Sequence, residues 1–207
     1  MRKRYLLIGN GASGTYAAET IRKADTEGEI TLVTNEPYPL YNRVALPPFL
    51  RDQAKREKVF LRTPEQHAQK GIKLLVNTPI TALDTHERVA TASDGQVFPY
   101  DRLLIATGGR PNPLPAPGAS PGLQGIYNFQ YWDEAAAIRE RISTARHAVV
   151  VGGSYIAYEL AEAFRHHNLV VTWLIRGPRR SGCSRFGRPC SSTPIRFLAT
   201  CLSSSRT

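Results

Sequence analysis

The sequence predicts an α/β fold in which a strand, a glycine-rich turn, a helix and a second strand occur twice. Three observations carry this. The apolar run Tyr5-Leu6-Leu7-Ile8 leads straight into Gly9-Asn10-Gly11-Ala12-Ser13-Gly14 and then into a helical pattern. The same order returns 143 positions later, with Gly152, Ser154, Ala157 and Ala161 falling on Gly9, Gly11, Gly14 and Ala18. Between the two, residues 80–98 alternate around Asp94-Gly95, which predicts an antiparallel meander in the first unit.

Residues 4–8 read as a buried strand and 13–24 as a helix with Tyr16, Ala17, Thr20, Ile21 and Ala24 near one face. Residues 29–34 form the next strand, and this opening suggests a parallel sheet. Thr63, Pro64 and Gln66 have the pattern of a helix start: a cap, a proline at the first helical position and a glutamine closing a capping box. Gly71 ends that helix, and a strand follows over 72–76. Residues 103–107 are another buried strand. Five prolines between 111 and 121 then make a stiff crossing. A helix runs from Asp133 toward Ile142, a strand over 147–151, and residues 170–175 match the second strand of the first unit. The expected organisation is a first domain over 1–110, a crossing and helix over 111–145, a partial second domain over 146–177 and a tail over 178–207.

Composition narrows the function classes. The chain has 207 residues and a formal charge of +10, but six arginines and no acid lie in 178–207. The remaining 177 residues hold 21 basic and 17 acidic side chains, a net of +4. A nucleic-acid surface places its basic residues on the folded domain, so that reading loses its support. All three cysteines lie in the same tail, which excludes a disulfide framework and a zinc pattern. No apolar run approaches the roughly 20 residues of a membrane helix. The opening apolar stretch is too short for a signal core, and a cytoplasmic protein is expected.

Gly9-Asn10-Gly11-Ala12-Ser13-Gly14 fits GxGxxG between a strand and a helix. The first glycine permits the tight turn, the second lets a pyrophosphate approach, and the third lets helix and strand pack closely. The helix N-terminus, with Ala12 and Ser13, then presents N–H groups to phosphates. Glu36 follows the second strand, 22 residues after Gly14, where an acid accepts ribose hydroxyls; Asn35 is its neighbour for the same contact. Gly152-Gly153-Ser154-Tyr155-Ile156-Ala157 repeats the turn as GxSxxA, with a plain strand–helix turn as the alternative. The expected fold is therefore two Rossmann-like dinucleotide-binding units, the second incomplete.

With GNGASG, NEPYPLYNR, YDRLLIATGGRP and VVVGGSYIAYE in place, residues 4–177 resemble the FAD/NAD(P)-dependent pyridine-nucleotide oxidoreductases. They are most similar to the ferredoxin-reductase and nitrite-reductase large-subunit branch. The resemblance implies FAD on the first unit, NAD(P)H on the second, hydride transfer to the flavin and electron delivery to an acceptor. It adds Arg43, Ile80, Ala106, Thr107 and Gly108 to the FAD residues, and Glu159 at the flavin–nicotinamide junction. For Arg43 the alternative is an exposed loop arginine, and for Glu159 a solvated helix charge. Disulfide reductases of the broader family carry cysteine after the first acid, whereas Tyr38 to Pro47 here has none. A non-disulfide acceptor follows: a ferredoxin- or rubredoxin-like protein, or a small molecule. Pro47-Pro48 stand where related ferredoxin reductases often have a lysine. Arg176, after the strand of the second unit, suits a 2′-phosphate and leans toward NADPH, with NADH as the alternative.

His166-His167 near a helix end read as dipole-favoured charges or as metal ligands, and Tyr127, Tyr131 and Trp132 as an aromatic packing cluster. From Pro178 the chain is rich in Ser and Arg without strand or helix period, and a frame-shifted end or a disordered basic tail is expected. The other functions open at this point are a dinucleotide-binding fragment without turnover and a basic surface-binding protein acting through the tail.

Overall fold

In a computed structural model, the structure describes residues 2–112, 114, 119, 123–176 and the backbone of 195–200. Most of the proline-rich crossing and most of the tail lie outside the described residues. The chain divides into two units, Met1–Asn42 with Arg56–Arg110, and Arg43–Lys55 with Pro111–Thr207. Residues 43–55 thus belong with the second unit, which differs from the uninterrupted 1–110 expected from sequence.

The first unit is built on a parallel sheet of β1 (Arg4–Ile8), β2 (Glu29–Val33), β3 (Ile72–Leu75) and β7 (Arg102–Ile105), in the order β3-β2-β1-β7. Leu7 of β1 stands opposite Leu32 of β2 and Leu104 of β7. Alternation along β1 splits the core into two layers. Leu7 faces a cluster with Ala18, Ile30, Leu32 and Ile72, under α1 (Ala12–Ala24). Leu6 and Ile8 face the other cluster, with Val33, Ala90, Ala92, Phe98 and Tyr100. That cluster is covered by the meander of β4 (Ile80–Asp84), β5 (Val89–Ala92) and β6 (Val97–Pro99). Gly95, at φ 84°, makes the β5–β6 turn. One expectation for α1 is corrected: its fully buried residues are Gly14, Thr15 and Ala18, and Tyr16 is 70% exposed. Gly14 and Ala18, lacking bulk, let the helix sit close on Leu7 and Leu32, so the helix face is chosen by close approach rather than by side-chain size.

Two short helices precede β3. α3 (Arg56–Val59) was not evident from sequence, whereas α4 (Pro64–Gln69) has the expected capping box: Thr63 Oγ1 accepts from the Gln66 N–H and Gln66 Oε1 from the Thr63 N–H.

The second unit has a parallel sheet of order β10-β9-β8, from β8 (His147–Val151), β9 (Val170–Arg176) and β10 (Ile195–Thr200). β10 corrects the expectation that the tail supplies no strand: it pairs with β9 from Ile195 opposite Val171 to Thr200 opposite Arg176. α6 (Tyr155–His166) packs Ala157 and Ala161 against Val150 and Val171. Val171 is fully buried there, while Val149 and Val151 on the opposite face are exposed. A second cluster joins Leu50 of α2 (Leu46–Leu50), Ile138 and Ile142 of α5 (Trp132–Ile142), and Ala163 and Leu169. α2 contains Pro47 and Pro48, which are tolerated because the first turn of a helix needs no N–H partners.

Candidate dinucleotide-binding turns

The first turn lies at the carboxyl end of β1. Gly9 adopts φ 111°, and a Cβ there would stand 2.2 Å from the Ala106 carbonyl oxygen. A Cβ on Gly14 would stand 1.8 Å from the Gly9 carbonyl oxygen. Both glycines are therefore required by the protein's own backbone. Gly11 is different: a Cβ there meets nothing within 4 Å. Its bareness matters only to something outside the fold that must approach the chain.

Gly11 is also the N-cap of α1, and no side chain caps that helix. The capped ends of α4 and α6 make the contrast, since Thr63 and Ser154 each accept a first-turn N–H. The first turn of α1, with exposed Ala12 and Ser13 and no acidic residue, thus offers N–H groups and the positive end of the helix dipole to an anion.

Two neighbours shape this turn without having been evident from sequence. Asn10 is buried; its Nδ2 donates to the Tyr38 carbonyl at 3.2 Å, and its Oδ1 accepts from Thr15 Oγ1 at 3.0 Å. The Tyr41 hydroxyl donates to Glu36 Oε2 at 2.5 Å. Glu36 follows β2, the strand beside β1, and its N–H donates to Thr34 Oγ1 at 3.2 Å. Its carboxylate is held while half-buried, beside an exposed Asn35. Tyr41 in turn belongs to an aromatic cluster with Tyr38 and Phe60, with ring centroids 5.6–6.5 Å apart.

Ala106, Thr107 and Gly108 follow β7, on the other side of β1. The Ala106 N–H donates to the Ile8 carbonyl at 2.8 Å, and Gly108 adopts φ 69°. The Gly9 turn, Glu36 and the 106–108 segment therefore converge at the carboxyl ends of three adjacent strands, where open α/β sheets bind ligands. Ile80 opens β4, and its side chain packs on the Leu6 core cluster.

Arg43 belongs to the second unit. It starts a 3-10 turn over Arg43–Ala45, and its guanidinium lies 5.0 Å over the Tyr131 ring. Trp132 is buried against Phe49 at 4.7 Å, so the aromatic cluster is in part a packing feature.

In the second turn Gly152 adopts φ 129°, and its N–H donates to the Leu174 carbonyl at 2.9 Å. Ser154 caps α6, its Oγ 3.3 Å from the Ala157 N–H. Ala157 is buried, whereas Tyr155 is 89% exposed and Ile156 is exposed. Trp173 Nε1 donates to the Gly152 carbonyl at 2.5 Å and its ring lies 6.2 Å from that of Tyr158. Sequence spacing gives no sign of this tie, because it joins residues 21 positions apart. Glu159 is half-buried on α6 and has no hydrogen-bond or ion-pair partner among the described residues. The backbone of Arg176 closes β9, and its side chain lies outside the described residues.

Away from these turns, Glu19 on α1 pairs with Lys70 at 2.7 Å and Arg62 at 3.1 Å, and these cations hold its carboxyl below the usual range. His67 of α4 is buried, and desolvation pushes its pKa down. No helix among the described residues is long and apolar enough to cross a membrane.

A profile of the family described as pyridine nucleotide-disulphide oxidoreductase matches residues 3–193. Putidaredoxin reductase of Pseudomonas putida is 36% identical over 176 residues, covering 82% of this chain and 40% of that protein. Nitrite reductase [NAD(P)H] of Bacillus subtilis is 28% identical over 178 residues, covering 86% of this chain and 22% of the relative. Among solved structures, the covalent putidaredoxin reductase–putidaredoxin complex matches with a TM-score of 0.78 at 34% identity, covering 83% of this chain and 42% of that one. The chain spans less than half the length of these relatives.

Proposed function

We propose that this chain, which belongs to the pyridine nucleotide-disulphide oxidoreductase family, binds FAD at the Gly9–Gly14 turn and NAD(P)H at the Gly152–Ala157 turn, as part of a reductase that serves a non-disulfide electron acceptor. The observation that carries the reading is the bare, uncapped start of α1 at Gly11, between two glycines that the fold itself requires. There the N–H groups of the first turn take the pyrophosphate, and Gly11 lets it approach. Glu36, oriented by the Tyr41 hydroxyl, accepts the ribose hydroxyls. Ala106, Thr107 and Gly108 form the neighbouring wall of that site.

On the second unit, Ser154, Tyr155, Ile156 and Ala157 offer the corresponding helix start, and Arg176 favours a 2′-phosphate. Glu159 lies on the same helix, one turn further. Held by these turns, the flavin would supply hydride-accepting and one-electron chemistry that the chain's own side chains lack. The stretch from Tyr38 to Pro47 holds no thiol, which supports an acceptor outside the chain. A ferredoxin- or rubredoxin-like protein is the acceptor this reading favours, since putidaredoxin reductase is among the relatives. A cytoplasmic location accompanies it.

The test is NAD(P)H oxidation by the FAD-loaded chain with an artificial one-electron acceptor. Flavin-dependent turnover supports the reductase; FAD and NAD(P)H binding without turnover leaves the alternative of a binding fragment; absence of FAD binding removes the reading.

A further inference from the structure

We propose that Asp52, His166 and His167 form a binding site for a divalent transition-metal ion, with zinc as the ion their donors suit best. All three belong to the second unit, and one ligand atom from each lies within 4.8 Å of the others. His167 caps the carboxyl end of α6. Its Nε2 is 2.6 Å from the Leu50 carbonyl oxygen and 3.7 Å from Asp52 Oδ2. With His167 neutral, the Nε2 proton satisfies the Leu50 carbonyl. A metal ion takes the place of that proton at Nε2 when the ring, still neutral, moves its proton to Nδ1 and so turns the Nε2 lone pair toward the ion. The His166 ring stands perpendicular to that of His167, 5.1 Å away, and supplies the second imidazole.

Two borderline imidazole nitrogens and one carboxylate oxygen are a donor set that zinc accepts in a four-coordinate site completed by water. The surroundings support the ligands. Arg139 forms an ion pair with Asp52 Oδ1, which orients the carboxylate and leaves Oδ2 toward His167. The carboxyl end of α6 adds its partial negative charge. Asp52 and His166 are exposed, so an ion has access. Bound there, the ion ties the turn after α2 to the end of α6. The site shares no residue with either proposed dinucleotide turn.

The experiment is calorimetric titration of zinc into the full chain with Cys183, Cys190 and Cys201 changed to serine, alongside thermal melts. One ion per chain is expected. His166→Ala and Asp52→Asn should each weaken binding at least about tenfold, and zinc should raise the melting temperature of the parent but not of the two variants. His167 stays in place because it also bonds Leu50. Absence of saturable one-to-one binding, unchanged affinity in both variants, or zinc binding only with the cysteines present would each overturn the proposal.

Discussion

Replacing Gly11 with valine separates the needs of a ligand from the needs of the fold. Gly11 has φ −73° and ψ −173°, backbone that any residue adopts, and its Cβ would meet nothing within 4 Å. The cost to the protein alone is that of a poorer N-cap, about 0.5–1 kcal/mol. On a 60–100-residue domain that lowers the melting temperature by roughly 2–8 °C. Gly14→Ala is the control, because its Cβ would lie 1.8 Å from a backbone oxygen that cannot swing away. Overpacking of that kind costs about 1–3 kcal/mol or more, so this variant should melt at least about 4–8 °C lower. If a pyrophosphate rests on Gly11, the valine branches occupy its place. The same overpacking, now charged to the complex, weakens FAD by roughly 5- to 150-fold. Flavin content after purification, fluorescence titration of FAD and circular-dichroism melts measure these quantities. Parental FAD affinity in Gly11→Val, or a parental melt in Gly14→Ala, would refute the reasoning.

Three more outcomes are expected. His67 has neither ring nitrogen bonded among the described residues, and burial holds it neutral in the folded state. The unfolded chain therefore gains a proton that the folded one does not as pH falls below about 6.5, and stability declines on acidification. His67→Leu should flatten that slope and add about 1 kcal/mol in denaturant melts. Trp173→Phe removes the donor to the Gly152 carbonyl and should cost about 0.5–1.5 kcal/mol with weaker NADPH binding; an unchanged NADPH titration argues against that turn as the site. Arg176→Ala should weaken NADPH more than NADH, by about 1.5–3 kcal/mol for a charge-assisted bond, and equal losses for both cofactors would remove the 2′-phosphate role.

Local signals made most of the first unit legible. Thr63-Pro64 and Gln66 specify a helix start through contacts three residues apart, and Asp94-Gly95 specifies a turn, so neither depends on distant chain. The two glycine turns were legible because small residues at fixed spacing leave a trace in sequence. What stayed hidden was set from afar. Leu46-Pro47-Pro48-Phe49-Leu50 carries no helical period of its own, and its prolines occupy a first helical turn over the α5–α6 cluster. β10 is six residues inside a Ser- and Arg-rich tail, too short to show a period of its own, and exists through its ladder to β9. Tyr16 fits an apolar stripe but faces solvent, because the helix turns its smallest residues toward the sheet. Asn10 and Trp173 hold the two turns by bonds across 28 and 21 positions, separations at which composition carries no signal.

The central claim is that the two turns serve different nucleotides. Equilibrium binding of FAD and NADPH to the full chain, each titrated in the absence and in the saturating presence of the other, tests it most directly. The account predicts one FAD and one NADPH per chain, bound together, with Gly11→Val weakening only the first. Mutual displacement at a single shared site, or loss of both nucleotides in Gly11→Val, would contradict it.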